Sequence, residues 1–254
     1  MKIKKILILP DIHAPKQDEA ALNAALKFTE DFKPDELVQL GDLCDFSSIS
    51  RFDIVREKDL IPLIEEIEAA NRVLDRLEKS IPRNCKKTLL EGNHDQRPEK
   101  YRLNSWDKNV QKVWGRRLSN FDELYHLKER GWNWRSYGEV YTVGHANFTH
   151  GWFTNKYHAF KTVSRWFKTL VYGHTHQYQV HSVVGMDRKP VAALSIGTLS
   201  RFDLDYLHGV PPNWVNMFAY LYMFNDGTFT LYTPTIINGR FIAEGCVYDG
   251  NRQS

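Results

Sequence analysis

Short apolar runs that stop abruptly at a polar loop set the strongest limit on how this chain can fold. Three of them are predicted to be strands: residues 2–9, 37–40 and 88–91. Between them, residues 18–33 and 58–79 carry apolar side chains at helical spacing, and Asp18 stands where a helix N-cap is expected. A repeated order of strand, loop and helix predicts an α/β sheet whose functional loops lie at the carboxyl ends of the strands.

The character of the chain changes after Tyr137, where short aromatic-rich runs follow one another. The predicted strands are residues 140–143, 147–149, 170–172, 177–184, 191–196, 218–224 and 228–233. Asn225, Asp226 and Gly227 form a hairpin signal between the last two runs, and residues 155–168 predict a further helix. With 254 residues, 42% of them hydrophobic, the chain can bury a sizeable core. We therefore expect a single domain over residues 1–254 that contains two sheets.

Composition excludes several classes of protein. No apolar run approaches the ~18 residues that a membrane-spanning helix needs, so no membrane partner is expected. The three cysteines, Cys44, Cys85 and Cys246, form no close pair and fit neither a disulfide framework nor a zinc knuckle. A reducing cytoplasm is the expected location. The net charge of +3 is too small to indicate an anionic partner by itself, and nothing in the sequence indicates an oligomeric state.

Carboxylate, amide and imidazole side chains follow five of the predicted strands. They are Asp11, His13, Asp42, Asn93, His94, His150, His174 and His176. Loops at the carboxyl ends of neighbouring strands meet at one edge of a sheet, so these side chains are expected to converge. An Asp-x-His pair and a His-x-His pair, with one carboxylate between them, suit two divalent ions held ~3.5 to 4 Å apart.

Five short motifs make the chain similar to a known family. In chain order they are Asp11-Ile-His13, Gly41-Asp42, Gly92-Asn-His-Asp95, Thr149-His150-Gly151 and Gly173-His-Thr-His176. With these motifs the sequence resembles the calcineurin-like metallophosphoesterases. The resemblance implies an α/β protein, an αββα sandwich of two mixed β-sheets flanked by helices, with a binuclear metal centre on its loops.

The resemblance also implies which residues hold each ion. One ion would be held by Asp11, His13 and His176 and the other by Asn93, His150 and His174, with Asp42 bridging the two. Oxygen and imidazole ligands without thiolate suit manganese as the first choice, with iron or zinc as alternatives. His145 competes with His150 for the fourth motif, but the strand before His150 and the glycine after it favour His150.

A proton donor for the leaving group is expected beside the metal ligands. Two cations cancel the charge of a phosphate ester and lower the pKa of a bound water towards ~7, so that a hydroxide can attack phosphorus. The leaving alkoxide then needs an acid, which contributes about 10²- to 10⁴-fold. His94 is the candidate. Asp45 matches a GDxxD spacing that in some relatives orients this histidine, so the resemblance implies a contact between Asp45 and His94, with Asp95 as the alternative orienting residue. A loop capping residue is the alternative interpretation of Asp45.

The distribution of charge indicates where a substrate would bind. Residues 97–117 hold seven Lys or Arg and two acidic residues, a local charge of +5, in a basic and aromatic insertion at about 97–135. Tyr101, Trp106 and Trp114 are interleaved with the basic residues, a mixture typical of nucleic-acid binding. The helix at 155–168 adds Lys161, Arg165 and Lys168 on one face, opposite Phe160, Val163 and Phe167. Arg97, Lys161 and Arg165 are the predicted substrate-binding residues, with a solvated basic face as the alternative.

The predicted function is hydrolysis of a phosphoester, with phosphodiester cleavage, including nuclease-like cleavage of nucleic acid, favoured. The first alternative is a phosphomonoesterase or nucleotide phosphatase. The second is a binding scaffold of the same fold without activity, which the complete ligand set and the presence of His94 disfavour. A protein phosphatase is disfavoured because that group shares a GDxVDRG motif, whereas Asp45 is followed here by Phe46.

Overall fold

The computed structural model describes residues 3–50, 61–104, 120–186, 188–203, 207 and 210–252. In chain order its strands are Lys4–Leu9 (β1), Glu36–Gln39 (β2), Lys86–Leu90 (β3), Trp132–Arg135 (β4), Tyr141–Val143 (β5), Ala146–Thr149 (β6), Leu170–Tyr172 (β7), Tyr178–Val184 (β8), Pro190–Ile196 (β9), Ala219–Met223 (β10), Phe229–Tyr232 (β11), Arg240–Ala243 (β12) and Cys246–Asp249 (β13). The helices are Glu19–Phe32 (α1), Leu63–Ser80 (α2), Arg97–Asn104 (α3), Phe121–Tyr125 (α4) and His158–Trp166 (α5), and a 3-10 turn lies at Ser47–Ile49.

Most strands form two mixed sheets. The first has the order β11-β10-β1-β2-β3-β4, in which β1 to β4 run parallel and β10 and β11 pair antiparallel. The second has the order β5-β6-β7-β9-β8, with β6, β7 and β9 parallel. Strands β12 and β13 form a separate hairpin against α1.

Successive side chains of each strand point to opposite faces of its sheet. One face packs on the other sheet and the opposite face packs on helices. In β1, Ile6 and Ile8 belong to the core between the two sheets, which also contains Phe148 and Val171 of the second sheet. Leu7 and Leu9 point the other way, into a core shared with α1 and α2. A smaller cluster lies between α5 and the second sheet. Because side chains alternate in a strand, each sheet is covered on both faces, and the protein is an αββα sandwich.

Helix boundaries follow the local sequence signals. The Asp18 side chain accepts a hydrogen bond from the backbone N–H of Ala21 at 2.9 Å and so caps α1 as expected. The helix predicted over 58–79 is present from Leu63 onwards, whereas residues 58–60 lie outside the described part of the chain. Among the described residues, no helix is both long and apolar enough to cross a membrane.

Several elements differ from the sequence-based prediction. The sheet strand β4, the short helix α4 and the β12–β13 hairpin were not predicted. The predicted inner face of α5 is wrong for two residues, because Phe160 and Phe167 are exposed. The helix instead buries Ala159, Thr162 and Val163 against the second sheet. Because Thr162 is polar, a prediction based on apolar residues alone does not identify this face as the buried one.

Candidate metal centre

Loops from both sheets meet at one end of the sandwich. The loop after β1 lies against the loop after β2, where the backbone N–H groups of Ile12 and His13 both donate to the carbonyl of Asp42, at 3.1 and 2.9 Å. The loop after β1 also contacts the segment that follows β9 of the second sheet, where Asp11 and Thr198 form an isolated β-bridge. The carboxyl ends of β1, β2, β3, β6 and β7 therefore deliver their polar residues to one place, as the sequence predicts.

The first group of converging side chains is Asp11, His13 and His176. Nε2 of His176 lies 3.1 Å from a carboxylate oxygen of Asp11 and 3.0 Å from Nε2 of His13. One potential ligand atom from each of the three residues lies within 4.8 Å of the others. All three are buried, which makes an unpaired charge here costly and a bound cation favourable.

The second group is Asp42, His150 and His174, joined by Asn93. Nε2 of His150 lies 3.4 Å from Asp42, and the side-chain oxygen of Asn93 lies 2.9 Å from Nε2 of His150 and 2.8 Å from Nδ1 of His174. Potential ligand atoms of the three titratable residues again lie within 4.8 Å of one another.

Asp42 lies between the two groups. Its Oδ2 is 3.6 Å from Nε2 of His13 in the first group and 3.4 Å from Nε2 of His150 in the second. Its other oxygen accepts a hydrogen bond from the backbone N–H of His94 at 2.8 Å. The family resemblance implies a bridging role for Asp42, and its carboxylate lies within 3.6 Å of a histidine of each group.

The hydrogen bonds behind two ligand histidines fit a bound metal. Nδ1 of His13 faces Asp45 at 3.0 Å, and Nδ1 of His150 faces the carbonyl of Leu40 at 3.0 Å. A proton on each Nδ1 leaves a lone pair on the Nε2 that points into the cluster, as in proteins where a metal-bound histidine is fixed by an acceptor behind it. The residues present therefore suit divalent cations.

Gly92 and Gly173 each lie so close to a carboxylate that a side chain would not fit there. A Cβ on Gly92 would lie 2.1 Å from an oxygen of Asp42, and one on Gly173 would lie 1.9 Å from an oxygen of Asp11. Any larger residue would push a carboxylate out of the cluster. This explains physically why glycine opens the third and fifth motifs.

Burial and close packing shift the pKa values of the ligands. Burial would raise the pKa of Asp42, but His150 and His94 outweigh it and hold that pKa well below its usual range. Burial lowers the pKa of His150, yet Asp42 and Asp11 raise it to about 9. Burial and the neighbouring His150 lower the pKa of His174 to about 4, so His174 is neutral at pH 7. Coordination by a cation replaces protons at such groups.

His94 lies beside the metal ligands, with its ring 4.6 Å from that of His13. Its Nδ1 is 3.3 Å from a carboxylate oxygen of Asp45 and 2.9 Å from the Asp45 carbonyl, so the expected contact is present. Burial lowers the pKa of His94, but Asp42 and Asp45 outweigh it and raise it above the usual value. A raised pKa favours the protonated ring that a proton donor needs.

Arg97 reaches the same place from the first turn of α3. Its Nη2 lies 3.1 Å from Nε2 of His94, and its Nη1 donates to the carbonyls of Asp45 and Phe46 at 2.7 and 3.4 Å. Of the three predicted substrate-binding residues, Arg97 is the one that contacts this cluster. Lys161 and Arg165 are exposed on α5, with the ammonium of Lys161 4.2 Å from the ring of Phe153.

Asp95, the alternative orienting residue, binds other partners. It accepts hydrogen bonds from the Tyr125 hydroxyl at 3.1 Å and from the backbone N–H groups of Gly92, Leu43 and Cys44. Burial and the charge of Asp42 raise the pKa of Asp95 to about 7. Its contacts join the loops after β2 and β3.

The other histidines lie elsewhere. The backbone N–H of His145 donates to the carbonyl of Gly227, whereas His150 lies in the cluster. His158 is buried against the hydroxyl of Tyr172, and His181 packs on Phe160. Trp106, Trp114 and His208 lie outside the described residues, as does the basic stretch 105–119.

Sequence reasoning missed two residues at this centre. Lys16 places its Nζ 2.7 Å from Oδ2 of Asp45, and Trp214 packs edge-on against His176 with ring centroids 4.4 Å apart. Lys16 stands three residues after His13, beyond the Asp-x-His motif, and no spacing rule links it to Asp45. Trp214 lies in a loop where the sequence offered no chemical signal.

Comparison with known proteins identifies the family. The family model described as calcineurin-like phosphoesterase matches residues 4–178, more than half of the chain. The chain belongs to this family. It is therefore a hydrolase that acts on phosphoester bonds. Two relatives are the Gene 54 proteins of Mycobacterium phages L5 and D29, 27% and 26% identical, each aligned over 97% of this chain and 99% of the relative.

Solved structures with a similar arrangement include wild-type Vps29 complexed with zinc from Entamoeba histolytica and the phosphoesterase YfcE from E. coli. The first is 14% identical with a TM-score of 0.49, covering 97% of this chain and 99% of that one. The second is 16% identical with a TM-score of 0.39, covering 90% of this chain and 98% of that one.

Proposed function

We propose that the protein is a binuclear metal-dependent phosphodiesterase in which His94 protonates the leaving group. The observation that carries the proposal is the position of Asp42 between two groups of ligand atoms, with His94 beside them. Two adjacent cations with a proton donor at their side suit the hydrolysis of an anionic ester.

One ion is assigned to Asp11, His13 and His176, the other to Asn93, His150 and His174, and Asp42 is assigned to both. When bound, divalent ions would neutralise charge on the phosphate and lower the pKa of a water towards ~7. Manganese is the proposed ion, with iron and zinc as alternatives, because the ligands are oxygens and imidazoles.

In this proposal His94 supplies the proton for the leaving group, and Asp45 orients the His94 ring. In this proposal the Nδ1 proton of His94 is held by Asp45, so that the second proton of the imidazolium is on Nε2. Nε2 gives that proton to the departing oxygen as the bond to phosphorus breaks. In this structure Nη2 of Arg97, which can only donate, lies 3.1 Å from Nε2 of His94. We assign the guanidinium to a phosphate oxygen of the substrate, where it can form two hydrogen bonds, and this move leaves Nε2 free to carry the proton.

The proposed substrate class rests on the sequence charge of residues 97–117. Residues 97–117 have a local charge of +5 and begin at the loop that carries His94, and Tyr101 is exposed on α3. Basic residues interleaved with aromatic ones favour a polyanion with bases, so a nucleic-acid phosphodiester is proposed over a phosphomonoester. Lys161 and Arg165 are proposed as a more distant basic surface for the same substrate. A cytoplasmic location stays a prediction from the cysteine usage.

Hydrolysis of bis-p-nitrophenyl phosphate with manganese tests the reaction. We expect release of nitrophenolate by the wild-type protein and loss of about 10²-fold or more in kcat for Asp42→Asn on this ester. For His94→Asn a loss of that size is expected on an ester with a poor leaving group, such as ethyl phenyl phosphate. His145→Asn, which removes the rejected ligand candidate, is the matched control and should leave the rate unchanged. Full activity in Asp42→Asn, or loss in His145→Asn, would refute this site.

A comparison of substrates tests the proposed class. Rates on bis-p-nitrophenyl phosphate, p-nitrophenyl phosphate and single-stranded DNA should be measured at the same manganese concentration. The proposal predicts that the diesters are hydrolysed faster than the monoester and that Arg97→Gln weakens DNA cleavage. A higher kcat/KM on the monoester would favour the phosphomonoesterase alternative.

A further inference from the structure

Lys16 forms a close ion pair with the residue that orients the proposed acid. Its Nζ lies 2.7 Å from Oδ2 of Asp45, and the two side chains are only 14% and 5% exposed. A charge-assisted contact of this length between buried groups is stronger and more directional than one on the surface. Lys16 is not part of any of the five motifs.

The backbone delivers Lys16 to this position through contacts with both neighbouring loops. Its N–H donates to the carbonyl of His13 at 2.6 Å, and its carbonyl accepts from the N–H of Arg201 at 2.9 Å. The adjoining segment pairs with the Asp45 loop, because Ala14 bridges Cys44 and the Asp45 N–H donates to the Ala14 carbonyl at 3.0 Å. Lys16 and Asp45 are therefore held by the same set of backbone hydrogen bonds.

The two oxygens of Asp45 have different tasks. Oδ1 lies 3.0 Å from Nδ1 of His13 and 3.3 Å from Nδ1 of His94, so the charge of one oxygen acts on a metal ligand and on the proposed acid together. The Asp45 carbonyl, 2.9 Å from Nδ1 of His94, holds the same edge of that ring. Oδ2 contacts Lys16. The orientation that places Oδ1 between the two imidazoles is therefore the orientation in which Oδ2 meets the ammonium.

We propose that Lys16 is a positioning residue that fixes the rotation of the Asp45 carboxylate and thereby aims His94 at the leaving group. This inference rests on the proposed function, because it takes His94 as the acid. Lys16 acts through Asp45 and touches neither substrate nor metal in this account.

If Lys16 acts through His94, the decrease in kcat caused by replacing Lys16 should depend on the leaving group of the ester. An acid matters most when the departing oxygen is strongly basic and least when it leaves readily as an anion. Ethyl phenyl phosphate and ethyl p-nitrophenyl phosphate differ only in the nitro group. The nitro group makes p-nitrophenolate a better leaving group than phenolate. A general loosening of the fold would slow both equally.

The experiment compares Lys16→Met, Lys16→Arg and Lys87→Met on these two esters with manganese. Lys87 is the matched control, since its side chain is 16% exposed and is paired with Glu78 at 3.4 Å away from the cluster. For Lys16→Met we expect kcat on the phenyl ester to fall about 10- to 100-fold, as for other residues that hold an active-site side chain in place, with little change on the nitrophenyl ester. Lys16→Arg should restore most of the rate, and Lys87→Met should alter neither.

A double variant separates this role from folding effects. In a His94→Asn background, Lys16→Met should cause no further loss on the phenyl ester, because both changes remove the same contribution. Additive losses, equal losses on the two esters, or a weakened manganese affinity with unchanged leaving-group dependence would overturn the proposal. If His94→Asn shows no leaving-group dependence of its own, the proposed acid is refuted, and that result is distinct from the behaviour of Lys16.

A structural measurement does not require activity. The crystal structure of the wild-type protein should show Oδ1 of Asp45 about 3.3 Å from Nδ1 of His94. In the structure of Lys16→Met the carboxylate of Asp45 should be rotated, with Oδ1 farther from that nitrogen. An unchanged Asp45 and His94 in Lys16→Met would overturn the proposal even if the protein hydrolysed neither ester.

Discussion

At the residue scale, several ligands have a backbone conformation that favours glycine. The φ angles of Asp42, His13 and His174 are +50°, +55° and +70°, in the left-handed region. Non-glycine residues held there cost of order 1–3 kcal/mol each, and such residues cluster at functional sites. The tight turns after the strands aim these side chains into the cluster, so part of the stability of the fold is given up for metal binding.

Replacing His174 with glycine tests this relation. We expect metal-free His174→Gly to be as stable as the metal-free wild type or up to about 1 kcal/mol more stable, because the strain is removed and the side chain is only partly buried. Manganese should then stabilise the variant much less than the wild type. Thermal unfolding with and without manganese measures both effects, and His181→Gly, in an extended strand, is the control that should only lose stability. A variant that is strongly destabilised without metal would contradict the account.

At the element scale, α2 holds the loop that carries Asp45. The Glu66 carboxylate is fully buried and accepts hydrogen bonds from the backbone N–H groups of Ser47 and Ser48, at 2.7 and 3.2 Å, and from their hydroxyls. A buried carboxylate with four donors around it is satisfied without a cation. The helix thereby fixes the 3-10 turn that follows Asp45.

We expect Glu66→Gln to destabilise the protein by about 1–3 kcal/mol, because an amide N–H₂ would face donors in a buried place. In a protein of this size that lowers Tm by roughly 2–4 °C per kcal/mol. Glu68→Gln, an exposed change on the same helix, should stay within about 0.5 kcal/mol. A Glu66 variant as stable as the Glu68 variant would show that the turn does not depend on this carboxylate.

Sequence patterns predicted the elements whose signal is local and missed those decided by tertiary contacts. Strand β7 was predicted at its observed bounds because Leu170–Tyr172 is an apolar run between Thr169 and Gly173. Strand β4 was missed although its sequence alternates aromatic and polar residues, because four residues give a weak local signal. Its pairing with β3 supplies the reason to be extended. The five motifs predicted the residues that the structure brings together, whereas Lys16 reaches Asp45 only through loop pairing that no sequence spacing reveals.

At the scale of the whole molecule, the cluster joins the two sheets. Asp11, Asp42 and Asn93 follow strands of the first sheet, and His150 and His174 follow strands of the second. Ions bound there would join loops that already meet through hydrogen bonds, ion pairs and ring contacts. Ligands that bind only the folded state stabilise it by about 2.7 kcal/mol at 100 times the dissociation constant.

Removal of metal should therefore lower the stability of the whole protein. We expect treatment with a chelator to lower Tm by about 5–10 °C, and manganese to restore it, since each kcal/mol shifts Tm by roughly 2–4 °C. Asp42→Asn should abolish most of the difference, and His145→Asn should retain it. The same Tm with and without the chelator in wild-type protein would mean that these side chains do not hold ions in solution.

Anomalous diffraction from crystals grown with manganese shows whether the protein holds two ions. We expect two peaks close together, one among Asp11, His13 and His176 and the other among Asn93, His150 and His174, with Asp42 contacting both. A lone peak, or peaks located away from these residues, would contradict this expectation.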